Sequence, residues 1–442
     1  MIIVDTALKA REVAGNPLRV GLIGAGFMAR GIANQIENYL PGMTLAAISN
    51  RTVANAVKTY EYAGTTGVVE ANNLGQLEDA IAAGKPCVTG DARLLCESGQ
   101  IDVLIESTGA VEFGAQVTTY AIECGKDIVL MNAELDGTVG PLLNHKAKAA
   151  GVIYTGCDGD QPGVQINLLR FVEMSGLRPL VCGNIKGLQD RYRNPTTQEK
   201  FARQWGQTPT MVTSFADGTK ISFEQAIVAN ATGMTVSQRG MIGWEFSGHV
   251  DEMTDMYDIN MLRHHGGIVD YVVGAKPSPG VYVFAEVRNK GQEIYLDYGK
   301  LGKGPLYSFY VPYHLTVFEV PISAARVALN RDVIIAPIDK PVVDVVTAAK
   351  IDLKAGDTID MLGGYKTYGL CETAQATIEQ NLLPIGIAEG AKLKRDVSKD
   401  AVLTYDDVEL PDNLCVRLRR EQDQMFFGKS GQPAFSPVSA TV

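Results

Sequence analysis

The stretch Leu18 to Ile36 reads Leu-Arg-Val-Gly-Leu-Ile-Gly-Ala-Gly-Phe-Met-Ala-Arg-Gly-Ile-Ala-Asn-Gln-Ile. Its first six residues form the short apolar run that a buried parallel strand needs. The run passes directly into Gly24-Ala25-Gly26-Phe27-Met28-Ala29, a G-x-G-x-x-A turn, after which Ala29, Ile32, Ala33 and Ile36 recur at helical spacing. Glycine at 24 permits the tight turn, and glycine at 26 lets a pyrophosphate approach the backbone. A small residue at 29 lets the helix pack closely on the strand, and the helix N-terminus offers amide donors to the phosphate. The same glycines can serve any tight strand-to-helix turn. Here the strand–turn–helix context points to a nicotinamide-type dinucleotide site built on Gly24, Gly26, Phe27 and Met28.

The following pattern extends this unit into a doubly wound parallel Rossmann sheet of the α/β class. Thr44 to Ser49 is the second strand, ending at Asn50-Arg51. An NAD site usually places an acid there, whereas the Arg51 guanidinium suits a 2′-phosphate, so NADPH is the expected cofactor. The plain alternative is that Arg51 is a solvated loop residue. Ile101 to Ile105 ends at Glu106-Ser107-Thr108-Gly109 and Asp127 to Met131 ends at Asn132, both on the carboxyl edge where ligands bind.

A chain of 442 residues is too long for one ordinary core. Residues 1–160 read as the dinucleotide domain and 161–330 as a second, α+β domain for substrate binding and dimerisation. Residues 331–425 read as a small β module and 426–442 as a flexible tail, with fraying expected from about Glu421. In the second domain, Val164 to Ser175 reads as a helix and Leu180 to Ile185 as a strand. Val281 to Arg288 and Leu306 to Phe318 read as strands of a mainly antiparallel sheet. Tyr282, Phe284, Tyr295, Tyr298, Tyr307, Phe309 and Tyr310 suggest either the core of that domain or a homodimer interface.

A net charge of −10 with no basic block argues against a nucleic-acid partner. No stretch is long and apolar enough to span a membrane. Seven cysteines without a C-x-x-C pair suggest free thiols, and a cytoplasmic location is expected.

Charged residues gather after two strand ends. Asp158, Asp160 and Gln161 lie between glycines, where they could shape an Asx-turn or face a cleft, moving protons or ligating a hard divalent ion. Lys186, Asp190, Arg191 and Arg193 follow the next strand; a lysine polarises a carbonyl, and arginines bind phosphate or carboxylate. Each could equally be a solvated surface charge. His264 is a candidate substrate contact or a structural histidine, and Cys157 reads as a buried, inert thiol.

The order of motifs, from the fingerprint through Glu106-Ser107-Thr108-Gly109 to Asn132, resembles the homoserine dehydrogenase-like oxidoreductases. Residues 340–410 resemble a SAF domain, a β-clip module. Together they are similar to type II, reductoisomerase-like deoxyxylulose phosphate reductoisomerases. In place of the Asn-Gly-Thr-Thr-Asn segment of homoserine dehydrogenases stands Lys186-Gly187-Leu188-Gln189-Asp190. The resemblance implies NADPH-dependent conversion of 1-deoxy-D-xylulose 5-phosphate to 2-C-methyl-D-erythritol 4-phosphate, a small-molecule reaction. In that chemistry Asp158, Asp160 and Asp190 would surround Mg²⁺ or Mn²⁺, Lys186 would meet the oxyanion, and Arg191 and Arg193 would hold the phosphate. The alternative is a simple dehydrogenase of a hydroxy acid, sugar acid or semialdehyde. A non-enzymatic NADP sensor is a further alternative.

Overall fold

The computed structural model describes residues 4–428. Helix α1 (Asp5–Val13) precedes a regular alternation of strand and helix. It runs β1 (Leu18–Ile23), α2 (Phe27–Tyr39), β2 (Met43–Ser49), α3 (Val53–Tyr62), β3 (Val69–Glu70), α4 (Leu74–Ala82) and β4 (Cys87–Thr89). It continues with α5 (Ala92–Glu97), β5 (Val103–Glu106), α6 (Val111–Glu123), β6 (Ile128–Leu130), α7 (Ala133–Ala150) and β7 (Tyr154–Gly156). All pairings in this sheet are parallel, in the order β3-β4-β2-β1-β5-β6-β7. Its strands are almost wholly buried because helices cover both faces. The order reverses at β1, between β2 and β5, so the carboxyl ends of β1 and β5 open the crevice in which ligands of such sheets bind.

The second layer holds α8 (Gln161–Met174), β8 (Leu177–Lys186), α9 (Pro195–Trp205), α10 (Pro209–Asp217), α11 (Thr219–Thr232), β9 (Trp244–Glu245) and α12 (Ile259–His265). It ends with β10 (Ile268–Val273), β11 (Gly280–Val287), α13 (Glu293–Tyr298), β12 (Tyr307–Val311) and α14 (Thr316–Asn330). The sheet order is β12-β11-β8-β10-β9. It is mixed rather than mainly antiparallel: β10 runs parallel to β8 and β9, and β11 antiparallel to β8 and β12.

Leu306 to Phe318 does not continue as one strand. Pro312 cannot donate to a sheet ladder, and from Val317 the apolar residues fall at helical spacing, with Val320, Ala324 and Val327 buried. Helix α14 packs on α2, where a Cβ on Gly31 would lie 2.8 Å from Val317. The seven aromatics of this region divide between core and surface. Tyr282, Phe284 and Tyr307 are buried in the chain's own core. Tyr257, from the segment that covers the sheet with Val250, Met253 and Leu262, packs edge-on to Phe284 and shares a 3.0 Å hydroxyl hydrogen bond with Tyr282. Tyr295 and Tyr298 point outward on α13.

The C-terminal region contains β13 (Val343–Ala349), β14 (Thr367–Thr373), α15 (Ala374–Glu379), β15 (Lys392–Leu393), β16 (Val408–Glu409) and α16 (Leu414–Phe427). Its strands pair antiparallel, β13 with β14 and β15 with β16. Fraying does not begin at Glu421. Buried Arg419 binds Asp344 of β13 through both terminal nitrogens, at 2.6 and 2.8 Å, and Asp423 at 2.9 Å. That network seats α16 against α6 and α7. Residues 429–442 of the expected tail lie outside the described residues. Among the described residues no helix is long and apolar enough to cross a membrane.

Candidate active site

At the carboxyl ends of β1 and β5 lies a cavity of about 850 Å³. Gly26, Phe27 and Met28 form one wall and Ser107, Thr108 and Gly109 another. Gly24 has φ +110°, and a Cβ there would lie 3.0 Å from the Ser107 hydroxyl. At Gly26 a Cβ would meet nothing within 4 Å, so the backbone is open to an incoming group. Helix α2 starts at this point with no side-chain cap and no acid in its first turn. Its first amides are therefore available to an anion, and the cradle fits a dinucleotide pyrophosphate.

Three of the sequence candidates at this edge support the cradle rather than line it. Glu106 turns inward: one carboxylate oxygen accepts from the Thr108 amide at 2.9 Å and from the Thr108 hydroxyl. The other is buried without a hydrogen-bond partner, and burial pushes the carboxyl up to about 7. Asn132 caps α7, accepting from the Leu135 amide at 3.1 Å and donating to the Ala110 carbonyl at 3.0 Å. Asn50 donates to the Thr52 carbonyl at 2.9 Å, shaping the loop on which Arg51 stands exposed.

The cavity continues to a polar floor built from the end of β8, from α11 and from Glu134 of α7. Lys186, the last residue of β8, donates to the Phe215 carbonyl at 3.2 Å. Lys220 and Glu224 project from one face of α11, as residues four apart do. Helix α11 is buried along most of its length and carries no charged side chains besides these two, which are placed against the cavity. Lys220 pairs with Glu134 of α7 at 3.3 Å. Burial lowers its affinity for a proton, but Glu134, Asp160 and Glu224 outweigh that and keep the ammonium charged. Burial lowers Lys186 too, and its principal counter-charge is Glu224. Burial pushes Glu224 up to about 8, against the pull of Lys220 and Lys186. Its carboxylate accepts from Asn184 at 3.2 Å, which in turn accepts from Gln165 at 3.0 Å.

Asp160 and Gln161 also line the cavity. Asp160 caps α8 through the Gln161 amide. The Gln161 side-chain nitrogen lies 3.4 Å from His314 Nε2, while its oxygen and His314 Nδ1 are buried without hydrogen-bond partners. Phe201 and Trp205 of α9 and Met211, Val212 and Phe215 of α10 make an apolar roof over this floor.

Asp158, Asp190, Arg191, Arg193 and His264 lie outside the cavity lining. Asp158 is buried against Arg326 and accepts from Asn167 at 2.6 Å and Ser323 at 3.0 Å. Asp190 pairs with Arg193 at 3.1 Å, and Arg191 lies over the Tyr368 ring, 5.6 Å from its centroid. His264 is exposed at the end of α12 beside His265. Cys157 is buried, and burial holds its thiol well above the usual range. No group of three or more His, Cys, Asp or Glu side chains among the described residues is arranged to hold a metal ion.

Sequence reasoning passed over Glu134, Lys220, Glu224 and His314. The spacing of Lys220 and Glu224, the only charges in a helix otherwise free of them, was the available signal, since buried charges are retained where they are paired or used.

Residues 159–320 match the family model described as "Oxidoreductase DRL, catalytic domain". Over 204 residues the chain is 27% identical to inositol 2-dehydrogenase of Corynebacterium glutamicum (strain R), covering 45% of this chain and 52% of that one. The chain thus spans about half the length of the curated relatives it matches. A probable dehydrogenase from Thermotoga maritima superposes with a TM-score of 0.42 at 12% identity, covering 73% of this chain and 91% of that one. Scyllo-inositol dehydrogenase from Lactobacillus casei, solved with NAD(H) and scyllo-inositol, superposes at 0.40 with 10% identity over 72% and 90%.

Proposed function

We propose that the chain is a nicotinamide-dependent oxidoreductase acting on a CH–OH group of a small, uncharged polyhydroxy compound. The charge complement of the cavity carries this reading. Its titratable lining is Glu134, Asp160, Lys186, Lys220, Glu224 and His314, with no arginine. Both lysines already face carboxylates, so no unmatched cation remains to bind a phosphate or carboxylate substrate. A neutral polyol or sugar suits that balance, and the relatives named as inositol dehydrogenases support the same class.

The chemistry follows from the floor. A bound nicotinamide supplies the hydride acceptor or donor, and Gly24, Gly26, Ser107, Thr108 and Gly109 would hold it. In the oxidising direction Lys186 orients the substrate hydroxyl. The released proton enters the Lys186–Glu224 pair, in which burial has brought amine and carboxyl proton affinities together. Lys220, held charged by Glu134, stabilises negative charge developing on the oxygen. Gln161 and His314 have unpaired polar atoms available to neighbouring hydroxyls. The roof of α9 and α10 excludes water, which strengthens each of these interactions.

The reductoisomerase reading loses the residues it needs. Arg191 and Arg193, its phosphate anchors, and Asp158 and Asp190, two of its three carboxylates, face other partners. Among dinucleotides we propose a preference for NADP, supported by Arg51 and by the absence of an acid at the end of β2. The test is nicotinamide absorbance against cyclic and acyclic polyols, sugars and phosphorylated ketoses, followed by product analysis. Oxidation of an unphosphorylated polyol to an unrearranged ketone is expected. Turnover confined to a phosphorylated ketose, with a branched product, overturns the proposal.

A further inference from the structure

The charges of the loop after β8, Asp190, Arg191 and Arg193, lie outside the cavity lining, and the loop meets the C-terminal β module. Lys350, at the end of β13 and 2% exposed, donates to three acceptors: the Arg193 carbonyl at 2.8 Å, the Asp217 carboxylate at 2.9 Å and the Gly364 carbonyl at 2.8 Å. Asp400 accepts from Tyr192 at 2.8 Å and from Tyr368 at 3.0 Å, and the Lys399 ammonium sits 3.6 Å from the Tyr192 ring centroid. Tyr365 bonds Thr196 of α9 at 2.9 Å. The backbone at Gly363, with φ +68°, lies so close to α10 that a Cβ would come within 2.1 Å of the Thr210 carbonyl. Strand β14 docks on α11 through a 3.0 Å bond from the Gly369 amide to the Thr219 hydroxyl and a 3.1 Å bond from Ser222 to the Gly369 carbonyl. Lys220 and Glu224 leave α11 toward the cavity.

We propose that the C-terminal module is a working part of the active site, with Lys350 as a positioning residue that holds the α9–α10 roof and the α11 charges over the reacting centre. Asp217 is the hinge of this arrangement. It ends α10 and stands two residues before Thr219, whose amide it accepts at 2.9 Å, so fixing its carboxylate fixes both helices. Lys350 touches neither cavity nor substrate; it acts through Asp217. A cation is required because the Asp217 carboxylate is fully buried and would otherwise be an unpaired charge.

The inference rests on the reading that Lys186, Lys220 and Glu224 carry the proton chemistry, and the experiment separates the two. In the full-length protein, Lys350→Met should raise amide exchange across residues 195–217 while leaving β1 and α2 protected. Dinucleotide affinity should be unchanged, whereas kcat should fall on the order of a hundredfold, the effect of about an ångström of misplacement. Asp217→Asn added to Lys350→Met removes the unpaired charge and should recover folding without recovering full kcat. If Lys350→Met fails to fold, Tyr192→Phe, which deletes only the hydroxyl bond to Asp400, should still raise exchange in the roof and lower kcat by a few-fold. Unchanged exchange over residues 195–217 in the folded variants overturns the clamp, whatever the activity. Raised exchange in a protein without polyol oxidation would leave the clamp standing and overturn the proposed chemistry instead.

Discussion

Asp158→Asn separates a catalytic carboxylate from a structural one. The native carboxylate receives side-chain hydrogen bonds from Arg326, Asn167 and Ser323, and its backbone amide donates to Ser323 at 2.7 Å. Asparagine keeps the size but removes the charge. Hydrogen bonds to a charged group contribute about 1.5–3 kcal/mol and neutral ones about 0.5–1.5 kcal/mol, so three weakened bonds amount to roughly 3 kcal/mol. Arg326 keeps a second partner in Asp332, at 2.7 Å, so its guanidinium is not stranded. The loss should therefore sit at the lower end of the roughly 3–5 kcal/mol seen when a buried pair is broken. Urea unfolding should show a lower midpoint with an unchanged slope, the signature of lost stability without a change in exposed surface. Assayed well below the transition, kcat/KM should stay within about threefold of the parent, since an interaction absent from the transition state leaves it unchanged. A variant with parental stability and a hundredfold loss of kcat refutes the reasoning and returns Asp158 to the catalytic set.

Gly26→Ala should leave stability within about 0.5 kcal/mol, because its Cβ enters open space at negative φ, yet weaken dinucleotide binding roughly tenfold or more by occupying the phosphate approach; tight binding by the variant would move the pyrophosphate elsewhere. Arg51→Ala should raise the NADP KM by roughly tenfold and leave NAD use unchanged, the low end of a charge-assisted bond at an exposed site; equal use of both cofactors by the parent rejects this. Alcohol oxidation should increase with pH through about 8, as the coupled Lys186–Glu224 pair gives up a proton and becomes able to take the substrate's, and Glu224→Gln should shift or remove that limb. Lys186→Ala should reduce turnover by roughly 10²–10⁴ without loss of dinucleotide binding, measured by nicotinamide fluorescence.

The dinucleotide half was legible because its determinants are local. Strand β1, the turn at Gly24 and Gly26, and the buried stripe of α2 follow from apolar periodicity and from backbone freedom at a few glycines. The place of Lys186 at a strand end was legible as well, and the structure sets that position at the cavity. Helices α9 and α10 carried no comparable signal for function; only the fold sets their apolar residues over a cavity.

Among the charged residues between 158 and 193, only the tertiary structure decided which side chains meet substrate space. Asp158 finds Arg326 168 positions away, Arg191 meets Tyr368, and Lys186 meets a carboxylate from a helix that begins more than thirty residues later. Sequence determines that these groups are charged and roughly where along each element they fall. A charged group's role depends on whether its partner is water, an opposite charge or an open cavity, and that is set by packing between segments distant in the chain.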